Sequence, residues 1–238
     1  MSTLERAQVR RSLDRLMVVH LFVAACFWGA AVVAVALILA LVDRFGAVTS
    51  SALGVGSQVG MWFCFGVCVL VTTQYLPAHV AAGVTRRSFV VASLVSALLT
   101  AVVYAVAMTV LVQVERAVFG ALGWAYEFPE SQLFTSTDQL LAVFGQHLLV
   151  YSAGGLGGLL VGIVYYRTGA AIGTVALLVT VTPVLLVSGI LRARDEWFFV
   201  PLPATTWTRI ALVLLVLVAV TTAYRLVARR IPIAPAMV

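Results

Sequence analysis

Few side chains in this sequence could do chemistry, and they lie far apart. The 238 residues hold three histidines, nine acids and three cysteines. His147 is followed five positions later by Ser152. A serine nucleophile needs a base within hydrogen-bond reach, as a rule brought from another element. Two residues five apart on one helix do not meet that need, so no hydrolase is read here. Cys64 and Cys68 have no other ligand-type residues nearby and read as small packing residues, not as a metal site. An odd count of cysteines inside apolar runs is no disulfide framework either. The glycines of Ser152-Ala153-Gly154-Gly155-Leu156-Gly157-Gly158 do not make a phosphate loop. That loop needs a lysine after its glycines, and all fifteen basic residues here are arginines. The expectation is a chain with no catalytic residue, no metal and no cofactor of its own.

What remains are polar and small residues within apolar surroundings. Gln58, Gln74, Gln146 and His147 are the polar candidates for a substrate pathway. An ionisable residue inside a membrane is a functional hypothesis by default. The competing reading of His147 is a neutral histidine hydrogen-bonded to a neighbouring helix. Gly56, Gly60, Cys64, Cys68 and Thr72 recur every four residues, as do Gly154, Gly158 and Gly162. Small residues at that spacing let helix backbones approach closely. Packing is the first reading, and a seam that slides during a conformational cycle is the second.

The elements that must hold these residues are membrane helices. The chain is 63% hydrophobic and only 10% charged, with a mean hydropathy of +1.10. A soluble domain is about half apolar. Apolar runs of 18 or more residues read as spans, and lipid forces each to satisfy its own backbone, so they are helices. The expected fold is an all-α integral membrane protein, a single transmembrane domain over 1–238. Its six spans fall at about 16–42, 55–77, 89–113, 140–165, 170–191 and 209–227. The first run is too long for a cleaved signal segment. Before it, Arg6, Arg10, Arg11 and Arg15 alternate with Leu4, Val9, Leu13 and Leu16, which predicts an amphipathic helix over 3–15 lying in the membrane interface. The short loop at 166–169 predicts a tight hairpin between spans four and five.

The arginines cluster at the ends of apolar runs. That is how membrane topology is written, not a nucleic-acid surface. With the N-terminus inside, ten arginines lie on the inner segments and five on the outer ones. Both termini are therefore expected in the cytoplasm, in the cell membrane. The outer loops at 114–139 and 192–208 carry aromatics (Trp124, Tyr126, Phe128 and Phe134; Trp197, Phe198, Phe199 and Trp207) that suit the outer leaflet.

The inner loop after span two reads Pro77-Ala78-His79-Val80-Ala81-Ala82-Gly83-Val84-Thr85-Arg86-Arg87-Ser88-Phe89. Pro77 suits the first turn of a short helix and Gly83 its end. With this stretch the chain resembles the permease subunits of ABC-2-type ABC transporters. Many of these carry glycine, then serine or threonine, two basic residues and a phenylalanine between spans two and three. Gly83, Thr85, Arg86, Arg87 and Phe89 match. The N-terminal interfacial helix, six spans and an outer segment before span six also fit.

The resemblance implies a transport subunit, not an enzyme. Pro77, His79, Gly83, Thr85, Arg86, Arg87 and Phe89 would form the coupling element, seated on a separate cytoplasmic ABC ATPase that carries the ATP and magnesium. A second permease chain, identical or related, would complete the substrate route. The segment at 192–208 would supply re-entrant helices. Export of a hydrophobic or amphipathic substrate is expected from the same resemblance. The alternatives are a scaffold or regulatory partner that transports nothing, and a lipid-acting enzyme, for which no cluster of acids or histidines is found.

Overall fold

A computed structural model of the chain describes residues 3–46, 48–128, 133–192, 196–197, 200–201 and 205–229. Nearly all of these are helical: α1 (Thr3–Phe45), α2 (Ala52–Leu70), α3 (Leu76–Ala81), α4 (Arg86–Leu122), α5 (Leu140–Thr180), α6 (Thr182–Arg192) and α7 (Thr206–Arg229). Five helical runs are long and apolar enough to cross a membrane: Thr3–Phe45, Ala52–Ala81, Arg86–Leu122, Leu140–Arg192 and Thr206–Arg229.

The expected interfacial helix and first span are one helix. No proline interrupts Thr3–Phe45, and its only glycine is Gly29, so nothing forces a bend at 15 or 16. At 1.5 Å per residue α1 is about 65 Å long, roughly twice the apolar thickness of a bilayer. The amphipathic pattern is real, but its apolar face is used within the protein. Ser12, Leu16, His20 and Ala24 are buried, Val9 and Leu13 pack beside them, and the four arginines Arg6, Arg10, Arg11 and Arg15 are exposed.

The helix expected at 77–85 is likewise no separate element. α2 passes through a single π turn, Val71–Tyr75, directly into α3. Pro77 explains the turn. It has no N–H to close on the carbonyl of Thr73, and a wider turn accommodates the missing bond without ending the helix. The third expected span begins three residues early, at Arg86, and runs nine past its expected end of 113, to Leu122.

α5 is the centre. Every residue from 150 to 163 is buried, and a helix apolar on all sides belongs in a core. α2 and α4 flank it, and α7 and α6 cover its remaining sides. Hydrogen bonding runs almost unbroken from 140 to 180, but the chain turns back at Gly169 (φ 78°, ψ 177°). Tyr165 Oη and Thr174 Oγ1 lie 3.1 Å apart, and Gly157 packs against Val184. These pairs bring together residues nine and twenty-seven positions apart, which is the expected hairpin. Glycine is needed there because side chains avoid positive φ.

Two apolar clusters stack along the bundle. One contains Met61, Tyr104, Met108, Tyr151, Val184 and Val213. The other contains Leu16, Phe89, Leu156, Leu159, Val220 and Tyr224, where Ser93 Oγ and Tyr224 Oη pair at 2.8 Å.

Toward the C-terminal end of α4, Glu115 is buried, accepting from the Ser51 hydroxyl and, at 3.1 Å, from Leu53 N–H. A carboxylate there complements the first turn of α2. Gly123 closes α4 with φ 69°. Phe119, Tyr126, Phe128 and Phe134 then stack in sequence with ring centroids 5.2–6.5 Å apart, so these aromatics pack on each other.

Residues 193–195, 198–199 and 202–204 of the segment 192–208, where re-entrant helices were expected, lie outside the described residues. Four of the nine described residues of that segment pair as short antiparallel strands, β1 (Glu196–Trp197) with β2 (Val200–Pro201). Arg194 and Arg230, used in the arginine count, lie outside the described residues as well.

Candidate functional site

The turn between α3 and α4 is built by two caps in succession. Gly83, at φ 80°, sends its N–H to Val80 O at 3.0 Å, and Val84 N–H reaches His79 O at 3.0 Å. This paired closure is the one a left-handed glycine makes possible at a helix end. Thr85 then opens α4, its hydroxyl accepting from Ser88 N–H at 3.2 Å. Pro77, Ala78, Ala81, Ala82, Gly83, Thr85 and Arg87 are exposed along this turn.

Two members of the expected coupling set point the other way. His79 is buried, its Nδ1 bonded to Tyr75 O at 2.8 Å and its ring 5.2 Å from that of Phe89. Phe89 has no exposed surface. A carbonyl can only accept, so Nδ1 of His79 carries the proton. These two side chains anchor the turn from beneath, and the exposed residues form its face.

The turn is also tied to the N-terminal part of α1, through a residue the sequence reading missed. Gln8 Nε2 donates to Gly83 O at 3.4 Å. Its Oε1 accepts from Thr85 N–H at 3.4 Å and from Ser88 Oγ at 3.2 Å. Glu5 lies 3.9 Å from Arg87. Gln8 is the only amide among the arginines of 3–16, and that isolation was the one available signal.

The small-residue stripes meet as expected, with one exception. On α5, a Cβ at Gly154 would lie 2.7 Å from Met61 O, one at Gly158 would strike Phe65 O, and one at Gly162 would lie 2.6 Å from Val69 O. The contacts advance together, 154 to 61, 158 to 65 and 162 to 69, so α2 and this arm of α5 run parallel. Gly60 lies under the Tyr151 ring, Cys64 beside Gly155, Cys68 beside Gly158 and Thr72 beside Gly162. Gly56 is the exception, since a Cβ there would meet nothing within 4 Å.

The four expected pathway residues separate. Gln74 is exposed on the π turn that leads into α3. Sixteen residues of helix, about 24 Å of rise, divide it from Gln58. Gln58, Gln146 and His147 lie toward the opposite end of the bundle, where Arg192 at the end of α6 joins them. Its Nη2 donates to Ser57 Oγ at 2.5 Å, and the Gln58 amide oxygen accepts from its Nε and Nη1 at 3.3 Å. Among the described residues this half-buried guanidinium has only neutral partners.

Nearby, Tyr151 Oη is buried with no hydrogen-bond partner among the described residues, and the Tyr151 and His147 rings are 5.9 Å apart. His147 Nδ1 donates to Val143 O at 2.7 Å in its own helix, not to a neighbouring one. Arg192 is one of the five arginines counted on the outer segments, and its position at the end of an apolar run gave no hint of this layer. Among the described residues no three His, Cys, Asp or Glu converge to hold a metal ion.

In comparisons with protein-family models, curated proteins and solved structures, the chain matches none of them.

Proposed function

We propose that this chain is the transmembrane permease subunit of an ABC-2-type ABC transporter. It would export a hydrophobic or amphipathic substrate across the cell membrane. Hydrolysis of ATP with magnesium belongs to a separate cytoplasmic ABC ATPase, and a second permease chain, identical or related, completes the substrate route. Both termini lie in the cytoplasm. With the reversal at Gly169 counted, the helices cross six times.

The observation that carries this reading is the inner turn. It is short and closed by two caps. His79 and Phe89 fix it from beneath, and Gln8 fixes it from the side. A rigid exposed knob joined to both α1 and α4 can transmit a push from a docked protein into the bundle. The polar layer of Ser57, Gln58, His147 and Arg192 is the part of the interior best equipped to meet a polar or anionic group of a substrate.

The test is co-expression with a cytoplasmic ABC ATPase, purification through a tag on this chain, and measurement of ATP hydrolysis. Wild type is expected to bring the ATPase with it. An Arg86→Glu/Arg87→Glu variant should lose it or lose stimulated turnover. An ATPase that binds but turns over alike with both chains would make this protein a scaffold. No ATPase on wild type would end the permease reading.

A further inference from the structure

At the inner end of the bundle a cavity of about 400 Å³ lies between the start of α4 and the end of α7. Its lining is Arg86, Arg87, Val90, Val91, Arg225, Ala228 and Arg229. Four guanidinium-bearing residues from two helices thus meet over an apolar floor. Arg225, Arg229 and Arg87 are exposed and Arg86 is half-buried. Glu5 lies 3.9 Å from Arg87 and offsets one of the group's charges. The first turn of α4 adds the positive end of the helix dipole.

A helix end needs no such convergence to be anchored. Arg229 in the last turn of α7, with Arg225 one turn before it, would complement that helix's own dipole. Nor would anchoring require two more from α4 facing the same cavity. We propose that this groove is a binding site for an anionic phospholipid of the inner leaflet. The phosphate sits among Arg86, Arg87, Arg225 and Arg229, and the glycerol and first methylenes lie on Val90, Val91 and Ala228. Guanidinium groups recognise phosphate through paired hydrogen bonds. Basic cavities between helices at the inner surface suit anionic headgroups. The floor distinguishes a lipid from a free anion, because a hydrated phosphate gains nothing from two valines and an alanine. The site does not depend on an ATPase partner.

Native mass spectrometry of the purified full chain tests it, with phosphatidylglycerol, phosphatidylcholine of the same acyl chains, and inorganic phosphate as probes. Arg225→Gln/Arg229→Gln is compared with Arg225→Lys/Arg229→Lys, and each variant's melting in phosphatidylcholine checks its folding. Wild type is expected to prefer phosphatidylglycerol. The glutamine pair should lose roughly tenfold or more of that preference, two charges being removed, and the lysine pair should keep most of it. If the glutamine pair does not fold, Arg229→Gln alone carries the comparison with a smaller expected loss. Equal binding of the two lipids by wild type, an undiminished preference in the glutamine variants, or competition by millimolar inorganic phosphate would each overturn the assignment to a lipid.

Discussion

Gly158 and Gly56 stand in stripes of the same spacing but face different surroundings. A methyl group at Gly158 would strike the backbone carbonyl of Phe65, which cannot move without its helix, whereas one at Gly56 would meet open space. Overpacking against a backbone costs about 1–3 kcal/mol. Gly158→Ala should therefore lower stability by that amount in detergent unfolding titrations. Gly56→Ala should stay within about 0.5 kcal/mol of wild type. If both variants unfold alike, the parallel seam between α2 and α5 is misplaced.

Gly83 makes a different demand, since its φ of 80° suits no side chain well. Gly83→Ala should cost about 1 kcal/mol, read as faster amide exchange at Val84 and Thr85. Spacing in the sequence announced that small residues would pack. It could not show which would meet a carbonyl, because that depends on the depth at which two helices cross. Arg192 illustrates the same limit. Nothing along the chain says that a terminal arginine folds inward to Ser57 and Gln58.

At the scale of elements, helix ends were legible and helix continuity was not. Gly83 and Thr85 carry their caps in their own chemistry. Pro77 suggested a new helix, yet the chain absorbs the missing N–H in a π turn and runs on from Ala52 to Ala81. A local breaker ends a helix only when no neighbouring packing rewards its continuation, and Val71, Thr72 and Leu76 are all buried. Pro77→Ala restores the donor and should allow a regular α turn. Amide exchange at 75–81 would then slow, and coupling to a bound ATPase would change because Ala78–Ala82 would be rotated.

Gln8 ties two elements that the sequence treated separately. Gln8→Leu removes three hydrogen bonds of 3.2–3.4 Å at a partly exposed site. It should shift overall stability by only about 1 kcal/mol. Exchange at 83–88 should nevertheless speed up, and stimulated ATP turnover should fall. An unchanged exchange pattern would mean that α1 does not brace the turn.

Taken as a whole molecule, the membrane character rests on composition and on five long apolar runs, and both were visible in the sequence. The hairpin at Gly169 was visible as well, from one short basic loop. How little of the C-terminal half of α1 the rest of the chain covers was not foreseen. Val33, Leu37 and Leu41 are each about 60% exposed, so lipid or another chain must cover this face in the membrane. Periodicity reveals a surface but does not identify what covers it.

The central claim is that the turn from Pro77 to Gly83 seats on a cytoplasmic ATPase. The most direct measurement is site-specific photo-crosslinking in native membranes. A photoreactive residue would replace Ala81 or Ala82 on the exposed turn, or Val118 at the far end of α4 as a control. Crosslinks to an ABC ATPase from positions 81 and 82, sensitive to nucleotide and absent from 118, are the predicted result. No ATPase crosslink from 81 or 82, or equal yield from 118, would contradict it.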